Sequence, residues 1–403
     1  MDDLARDYLV LALSIGRLED GIVDAYYGPP ELKAAAETRD LAAAELAIEA
    51  AALRERAARE RDVQRGRWLD RQLVALETLS RRFAGEELPY LDEVSLCFDA
   101  RPERTEASEF RAVHDRLDAL LPPGPSLRDR VDERNRRLTV AVERLPQIIA
   151  WLIAEIRAAC LAVFPAPDGE SLTFNLVTGE PWSAYNWYEG DLRSRIEFNT
   201  DLPARAPELI SLVTHEAFPG HHLEHAWKEA RLVREQGRAE STVQLINTPE
   251  AYVSEGLAEL GGRYVVDRGL WEVLFAGICE RAAIELEPGR PQREWQISDT
   301  FRGLRPVTAD AALMLHLDGR PASEVVAFVE EIGLRTREAA EKNVEFISHP
   351  LWRTYVFCYS GGQRLLGEWC AAAGSAEAQG KRFFRLLSEQ LTPSGIAEEL
   401  GGV

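Results

Sequence analysis

Four of the chain's seven histidines fall within twelve consecutive residues, Thr214-His215-Glu216-Ala217-Phe218-Pro219-Gly220-His221-His222-Leu223-Glu224-His225. A carboxylate directly follows the first of them. Imidazoles crowded together beside a carboxylate point to a transition-metal site with a built-in base. The familiar hydrolase motif H-E-x-x-H sets its two histidines four apart on one helix face, about 6 Å along the axis. Here Pro219 takes that fourth position. On an unbroken helix His221 would point about 120° away from His215, and His222 would align but sit about 10.5 Å further on. Neither straight-helix pair suits zinc–nitrogen bonds of about 2.0–2.1 Å. Proline removes an intrahelical hydrogen bond and glycine tolerates unusual backbone angles, so Pro219-Gly220 is read as a two-residue bulge, H-E-x-x-(P-G)-H. The bulge would bring His221 beside His215 and turn His222 elsewhere, as a residue behind the ligands or a substrate contact.

A third ligand should come from a nearby helix, with a fourth position left to water. The segment Thr248-Pro249-Glu250-Ala251-Tyr252-Val253-Ser254-Glu255-Gly256-Leu257-Ala258-Glu259 fits. Thr248 can cap the helix and Pro249 suits its first position. Glu255 and Glu259 lie four apart and share a face. Glu255 is assigned to the metal and Glu259 to a ring N–H of a ligating histidine. The alternatives for the third ligand are Glu259 and Glu224.

Three stretches together resemble a known family: Ile196-Glu197-Phe198-Asn199-Thr200-Asp201-Leu202-Pro203, then His215 to His222, then Glu255-Gly256-Leu257-Ala258-Glu259. They look like the bacterial family catalogued as domain of unknown function 885 (DUF885), which resembles the gluzincin metallopeptidases. The expanded motif is also similar to that of dipeptidyl peptidase III, H-E-x-x-G-H with a downstream ligand helix. The likeness spans about residues 190–270 and is weaker over Asp24–Pro30 and Asp310–His316. Where the family carries E-G-W-A-L-Y, this chain has Glu255-Gly256-Leu257-Ala258-Glu259-Leu260 and lacks both aromatics. The resemblance implies a mainly α, zincin-like fold with a small β-sheet next to the metal-binding helix. It implies Zn²⁺ bound by His215, His221 and Glu255, Glu216 as general base, and Glu259 behind the ligands. It also gives the strand ending at Asn199 the task of receiving extended substrate along a sheet edge. In related zinc peptidases a downstream Tyr or His stabilises the oxyanion. His316, Tyr355 and Tyr359 are candidates here, with Tyr359 favoured because Gly361 and Gly362 permit close approach and Tyr355 assigned to substrate.

Net charge sets limits. With 67 acidic against 47 basic residues the chain carries −20, which argues against nucleic acid and an anionic membrane surface. The beginning Met1-Asp2-Asp3 does not read as a signal peptide, and Glu155 and Arg157 interrupt the most apolar stretch, so a cytoplasmic protein is expected. Five scattered cysteines, none with zinc-knuckle spacing, read as buried reduced thiols.

Along the chain, residues 1–25 predict one helix, and Ala/Arg/Glu-rich segments to about residue 83 predict long antiparallel helices. A further helix is expected from Ser126 to Phe164. Pro165-Ala166-Pro167-Asp168-Gly169 is read as the boundary between an N-terminal helical region (1–165) and a catalytic region (166–403). Leu172–Val177 and Arg195–Asn199 alternate as strands, and Trp182, Tyr185, Trp187 and Tyr188 between them read as the packing of a hairpin. Arg302, Arg305 and Arg364 could hold a substrate carboxylate, although surface ion pairing is the ordinary role of such residues. The expected activity is zinc-dependent hydrolysis of peptide or related amide bonds on short substrates, with oligomeric state open. The alternative is a metalloenzyme of another class or a silent metal-binding scaffold.

Overall fold

A computed structural model describes residues 1–180 and 182–401. Helices dominate, as the helical spacing of apolar residues predicts. The first, Asp3–Ile15, is capped by Asp2, whose side chain accepts the Ala5 N–H at 2.8 Å. It buries Tyr8, Leu9, Leu11 and Ile15 along one face. It stops ten residues earlier than expected, and the chain turns at Gly21 (φ 89°) into a strand.

Among the described residues, five strands make two small sheets: β1 (Val23–Tyr26), β2 (Ser171–Val177), β3 (Ala184–Gly190), β4 (Arg193–Asn199) and β5 (Val243–Leu245). β1 pairs antiparallel with β5, and a register shift between Val23 and Ala25 leaves Asp24 outside the ladder. The second sheet has the order β2-β4-β3, with β2 parallel and β3 antiparallel to β4. The β3–β4 turn passes through Gly190, Asp191 and Leu192, all at positive φ. The buried carboxylate of Glu229 holds that turn: it accepts the Asp191 and Leu192 N–H groups, each at 3.2 Å, and the Tyr188 hydroxyl at 2.6 Å.

Two apolar cores lie side by side. One gathers residues 4–131 with 243–358, the other residues 138–278 with 366–396. The break at 165–169 therefore falls inside the second core, where the helix Leu145–Leu161 and the strands after it pack together. Two helices bridge the cores. Pro249–Val265 gives Tyr252 to one and Leu257 to the other; Phe357–Ala371 gives Cys358 to one and Trp369 to the other. They cross backbone to backbone at Gly256 and Gly362: a Cβ on Gly256 would lie 2.6 Å from the Gly362 carbonyl carbon. That close crossing carries Tyr355 and Tyr359 up to Glu255. Among the described residues no helix is long and apolar enough to cross a membrane.

Candidate metal centre and its cleft

The motif does not form a bulged helix. One helix, Ala206–Glu216, ends at the glutamate, and a second, His221–Lys228, begins after Gly220. The reason is steric as well as the missing proline N–H. Gly220 is wedged against the end of the first helix, where a Cβ would sit 1.7 Å from the His215 carbonyl oxygen. Its N–H instead bonds the Thr214 carbonyl at 3.1 Å, and Leu223 N–H reaches back to Ala217 at 3.3 Å. The outcome for the imidazoles is the one the sequence requires: His215 and His221 meet edge to face, Nε2 to Nε2 at 3.2 Å.

Glu255 arrives from the bridging helix. Its Oε2 lies 3.3 Å from His215 Nε2 and its Oε1 3.8 Å from His221 Nε2. Two ligands about 2.0–2.2 Å from one tetrahedral ion stand about 3.3 Å apart, so these separations fit a single shared cation. Glu255 Oε2 is buried yet makes no hydrogen bond of normal geometry, as a metal-ligating oxygen would be. Both rings turn Nε2 inward and Nδ1 outward. His215 Nδ1 faces Glu259 Oε1 at 3.6 Å; His221 Nδ1 faces Ser254 Oγ at 3.2 Å and Glu224 Oε2 at 3.5 Å. Each imidazole thus has its own carboxylate behind it, the arrangement that fixes ring tautomer and orientation at metal sites.

Glu224 is the partner that sequence reasoning placed only among alternative ligands. It is fully buried, accepts the Ser254 hydroxyl at 2.6 Å and pairs with buried Lys228 at 2.5 Å. Burial alone would raise its carboxyl, but Lys228, with His221 and His225, holds it far below the usual range. Lys228 also pairs with Glu250. Although His221, Glu224 and His225 also approach one another closely, the Lys228 ammonium competes there with any cation. His225 stacks on His221 with ring centroids 5.7 Å apart and binds Gln244 at 2.8 Å. Burial pushes its imidazole down to about 3, so it stays neutral.

The three convergent side chains open onto a cleft of about 600 Å³ between the two cores. Glu216, Tyr355 and Tyr359 line it. The Glu216 carboxyl is pushed up by burial; His215 and His221 oppose the rise, and Glu255 and Glu259 add to it. Glu255 goes the other way: burial would raise it, but the His215 contact and the charge of His221 bring it below the ordinary value. Tyr355 donates its hydroxyl to Glu255 Oε1 at 2.7 Å, and its ring meets that of Tyr359 edge-on at 5.8 Å.

Three residues singled out in the sequence lie elsewhere. His222 points away from the cleft, fully buried, binding Ser194 Oγ at 2.8 Å and Glu170 Oε2 at 2.9 Å. It adjoins His221 on a helix, so its side chain leaves about 100° round the axis. It ties this helix to β4. His316 binds the Ile347 carbonyl at 2.7 Å and packs on Tyr90, away from the ligands. Asn199 donates to the Glu180 and Trp182 carbonyls. It ends the central strand of its sheet, which presents no free edge. The strand edge that lines the cleft is β3, through Ala184, Tyr185 and Asn186. Asn186 Nδ2 also donates to the Glu216 carbonyl at 2.7 Å, anchoring the end of the motif helix to β3. Asp24, which the composition of its segment did not single out, reaches the same cleft, and burial raises its carboxyl to about 7.

No protein-family model matches the chain, and no curated protein does. Among solved structures, it is similar to a putative lipoprotein from Colwellia psychrerythraea, with TM-score 0.57 and 14% identity over 89% of this chain. The chain spans 66% of that structure's length. It also aligns with a putative lipoprotein of unknown function from Shewanella oneidensis at TM-score 0.49 and 13% identity, covering 95% of this chain and 68% of that one. A third alignment is with an M32 carboxypeptidase from Deinococcus radiodurans R1, at TM-score 0.42 and 13% identity, covering 100% of this chain and 94% of that one. At these identities the first likeness concerns the fold, and the likeness to DUF885 rests on the motifs alone.

Proposed function

We propose that the protein is a metal-dependent hydrolase of peptide or related amide bonds in short substrates. The observation that carries this reading is the convergence of His215, His221 and Glu255 at single-ion distances, each histidine backed by its own carboxylate, beside buried Glu216 in an open cleft. These three side chains would hold Zn²⁺, which when bound polarises a carbonyl and acidifies a water molecule. Glu216 is the chain's own contribution to proton transfer. Burial raises this carboxyl, which makes it a stronger base than a free glutamate, so Glu216 takes the proton of the attacking water and delivers it to the departing amine. Tyr359, which lines the cleft, and Tyr355, which donates to Glu255, would donate hydrogen bonds to negative charge developing on the carbonyl oxygen. The β3 edge offers backbone groups to an extended substrate. Five buried cysteines with no disulfide among them suit a reducing compartment, in keeping with a cytoplasmic site of action.

The test is Glu216→Gln, which keeps the shape of the side chain and removes its basicity. Metal content should match wild type, while turnover of a dipeptide library falls by about 10²–10⁴-fold, the usual contribution of a positioned base. Unchanged turnover with metal bound would eliminate the assigned role.

A further inference from the structure

One end of the cleft is basic, in a chain whose net charge is −20. Arg263, Arg302 and Arg305 line it together with His215 and Glu259. Arg305 pairs with Glu259, the carboxylate that faces His215 Nδ1 at 3.6 Å. The first guanidinium therefore stands one carboxylate behind a metal-site imidazole. The other two are poorly compensated. Arg302 is only part exposed and has Asp299 alone, at 3.4 Å; Arg263, beside it, is exposed and among the described residues has no carboxylate within ion-pair distance. Burial, and then the neighbouring charges of Arg305 and Arg263, push the Arg302 guanidinium down to about 10. Around Arg302 the charges that act are two further guanidiniums, Arg305 and Arg263, against two carboxylates, Asp299 and Glu259, so three positive charges face two negative ones and an added anion would relieve them.

We infer that this end of the cleft is a docking site for a substrate carboxylate, with Arg302 and Arg263 as its donors. The substrate class is then an amide whose leaving side ends in a free carboxylate: the C-terminal end of a short peptide, or an N-acyl amino acid. The planar guanidinium fork matches a carboxylate with two parallel hydrogen bonds, which a lone ammonium cannot do. Arg305, held by Glu259, fixes the position of the patch relative to His215. The proposal rests on the hydrolase reading, and the experiment separates the two.

The experiment compares zinc-loaded wild type, Arg302→Gln and Arg302→Lys on matched N-acyl dipeptides that end in a free carboxylate or in a carboxamide. Wild type should prefer the free acid by at least about 100-fold in kcat/KM, in line with a bidentate charged contact. Arg302→Gln should bring the acid-to-amide ratio toward one, mainly through KM, and Arg302→Lys should keep part of it because charge survives without the fork. Thermal melts verify that both variants fold, and Arg263→Gln gives the same readout should Arg302→Gln fail to. In parallel, calorimetric titration with an N-acetyl amino acid and its amide reads binding without turnover. Binding selective for the acid and lost in Arg302→Gln, with no hydrolysis, would keep this site and remove the hydrolase. Hydrolysis that does not distinguish acid from amide, or a ratio that Arg302→Gln leaves unmoved, would overturn the carboxylate site alone.

Discussion

Replacing Gly220 with alanine should disable the metal centre through the backbone, without touching a ligand. A Cβ at this position would stand 1.7 Å from the His215 oxygen, 2.5 Å from its carbonyl carbon and 2.6 Å from the Thr214 oxygen. These neighbours are backbone atoms of a packed helix end and cannot swing aside as a side chain would. An ordinary carbon–oxygen contact is about 3.3 Å, so the two segments must part by about 1.5 Å. Metal–ligand distances tolerate about 0.2 Å, so a shift of that size takes His221 out of reach of an ion held by His215. Losing a residue behind a ligand typically costs 10–100-fold in affinity; losing a ligand should cost at least about 100-fold, or about 2.7 kcal/mol. The assay is competition for zinc between the metal-free protein and a chromophoric chelator. The matched control is Gly380→Ala, in the helix Ala376–Ser388, where a Cβ would meet nothing within 4 Å. That variant should bind zinc normally and gain up to about 1 kcal/mol of stability from helix propensity. If Gly220→Ala bound zinc as wild type does, the claim that this glycine sets the imidazole geometry would be refuted.

Two further substitutions separate the site from its supports. Lys228→Met leaves the buried Glu224 and the partly buried Glu250 without their cation and should cost about 3–5 kcal/mol in denaturant unfolding. Glu224 is held below its unfolded value, so the stability it contributes is complete above about pH 4.3 and fades as pH falls below that; the acid limb should be shallower in Lys228→Met, and an unchanged limb would count against the pairing. His222→Leu leaves Ser194 Oγ and Glu170 Oε2 without their partner, although Arg157 still pairs with Glu170 Oε1, and should cost about 1–3 kcal/mol while zinc binding persists; zinc lost at unchanged stability would return His222 to the metal site.

The chemistry of this chain is more legible in its sequence than its topology is. A Pro-Gly pair inside a histidine cluster, and two glutamates four apart on a later helix, are enough to pick the residues that converge, because ligand distances leave few other solutions. Where the kink would fall was not legible: the sequence shows that a helix must be interrupted, but not that Gly220 packs against His215 so tightly that two helices result. Sheet order was hidden for another reason. Alternation identifies β2 and β4 as strands but is the same for a central and an edge strand, so it does not show that Asn199 ends the central strand while β3 is the one that lines the cleft. β1 and β5 are four and three residues long and pair across most of the chain, too short for a periodic signal. Asp24 lies on β1, where the sequence offers only the weaker family likeness of its segment and no cue that it reaches the cleft. Glu224 carried a visible cue, three residues after His221, and its work behind that ring becomes clear only once Ser254 and Lys228 are seen to hold it. His316 shows the converse: a lone downstream histidine satisfied by a backbone carbonyl.

Zinc K-edge X-ray absorption on the wild-type protein, loaded with one equivalent of zinc and freed of excess, tests the central claim most directly. Two imidazole nitrogens at about 2.0–2.1 Å and carboxylate and water oxygens at about 2.0–2.2 Å, in a four-coordinate shell, are the expected result. A protein that retains no stoichiometric zinc, or a shell with sulfur or fewer than two imidazoles, would contradict the joining of His215, His221 and Glu255 around one ion.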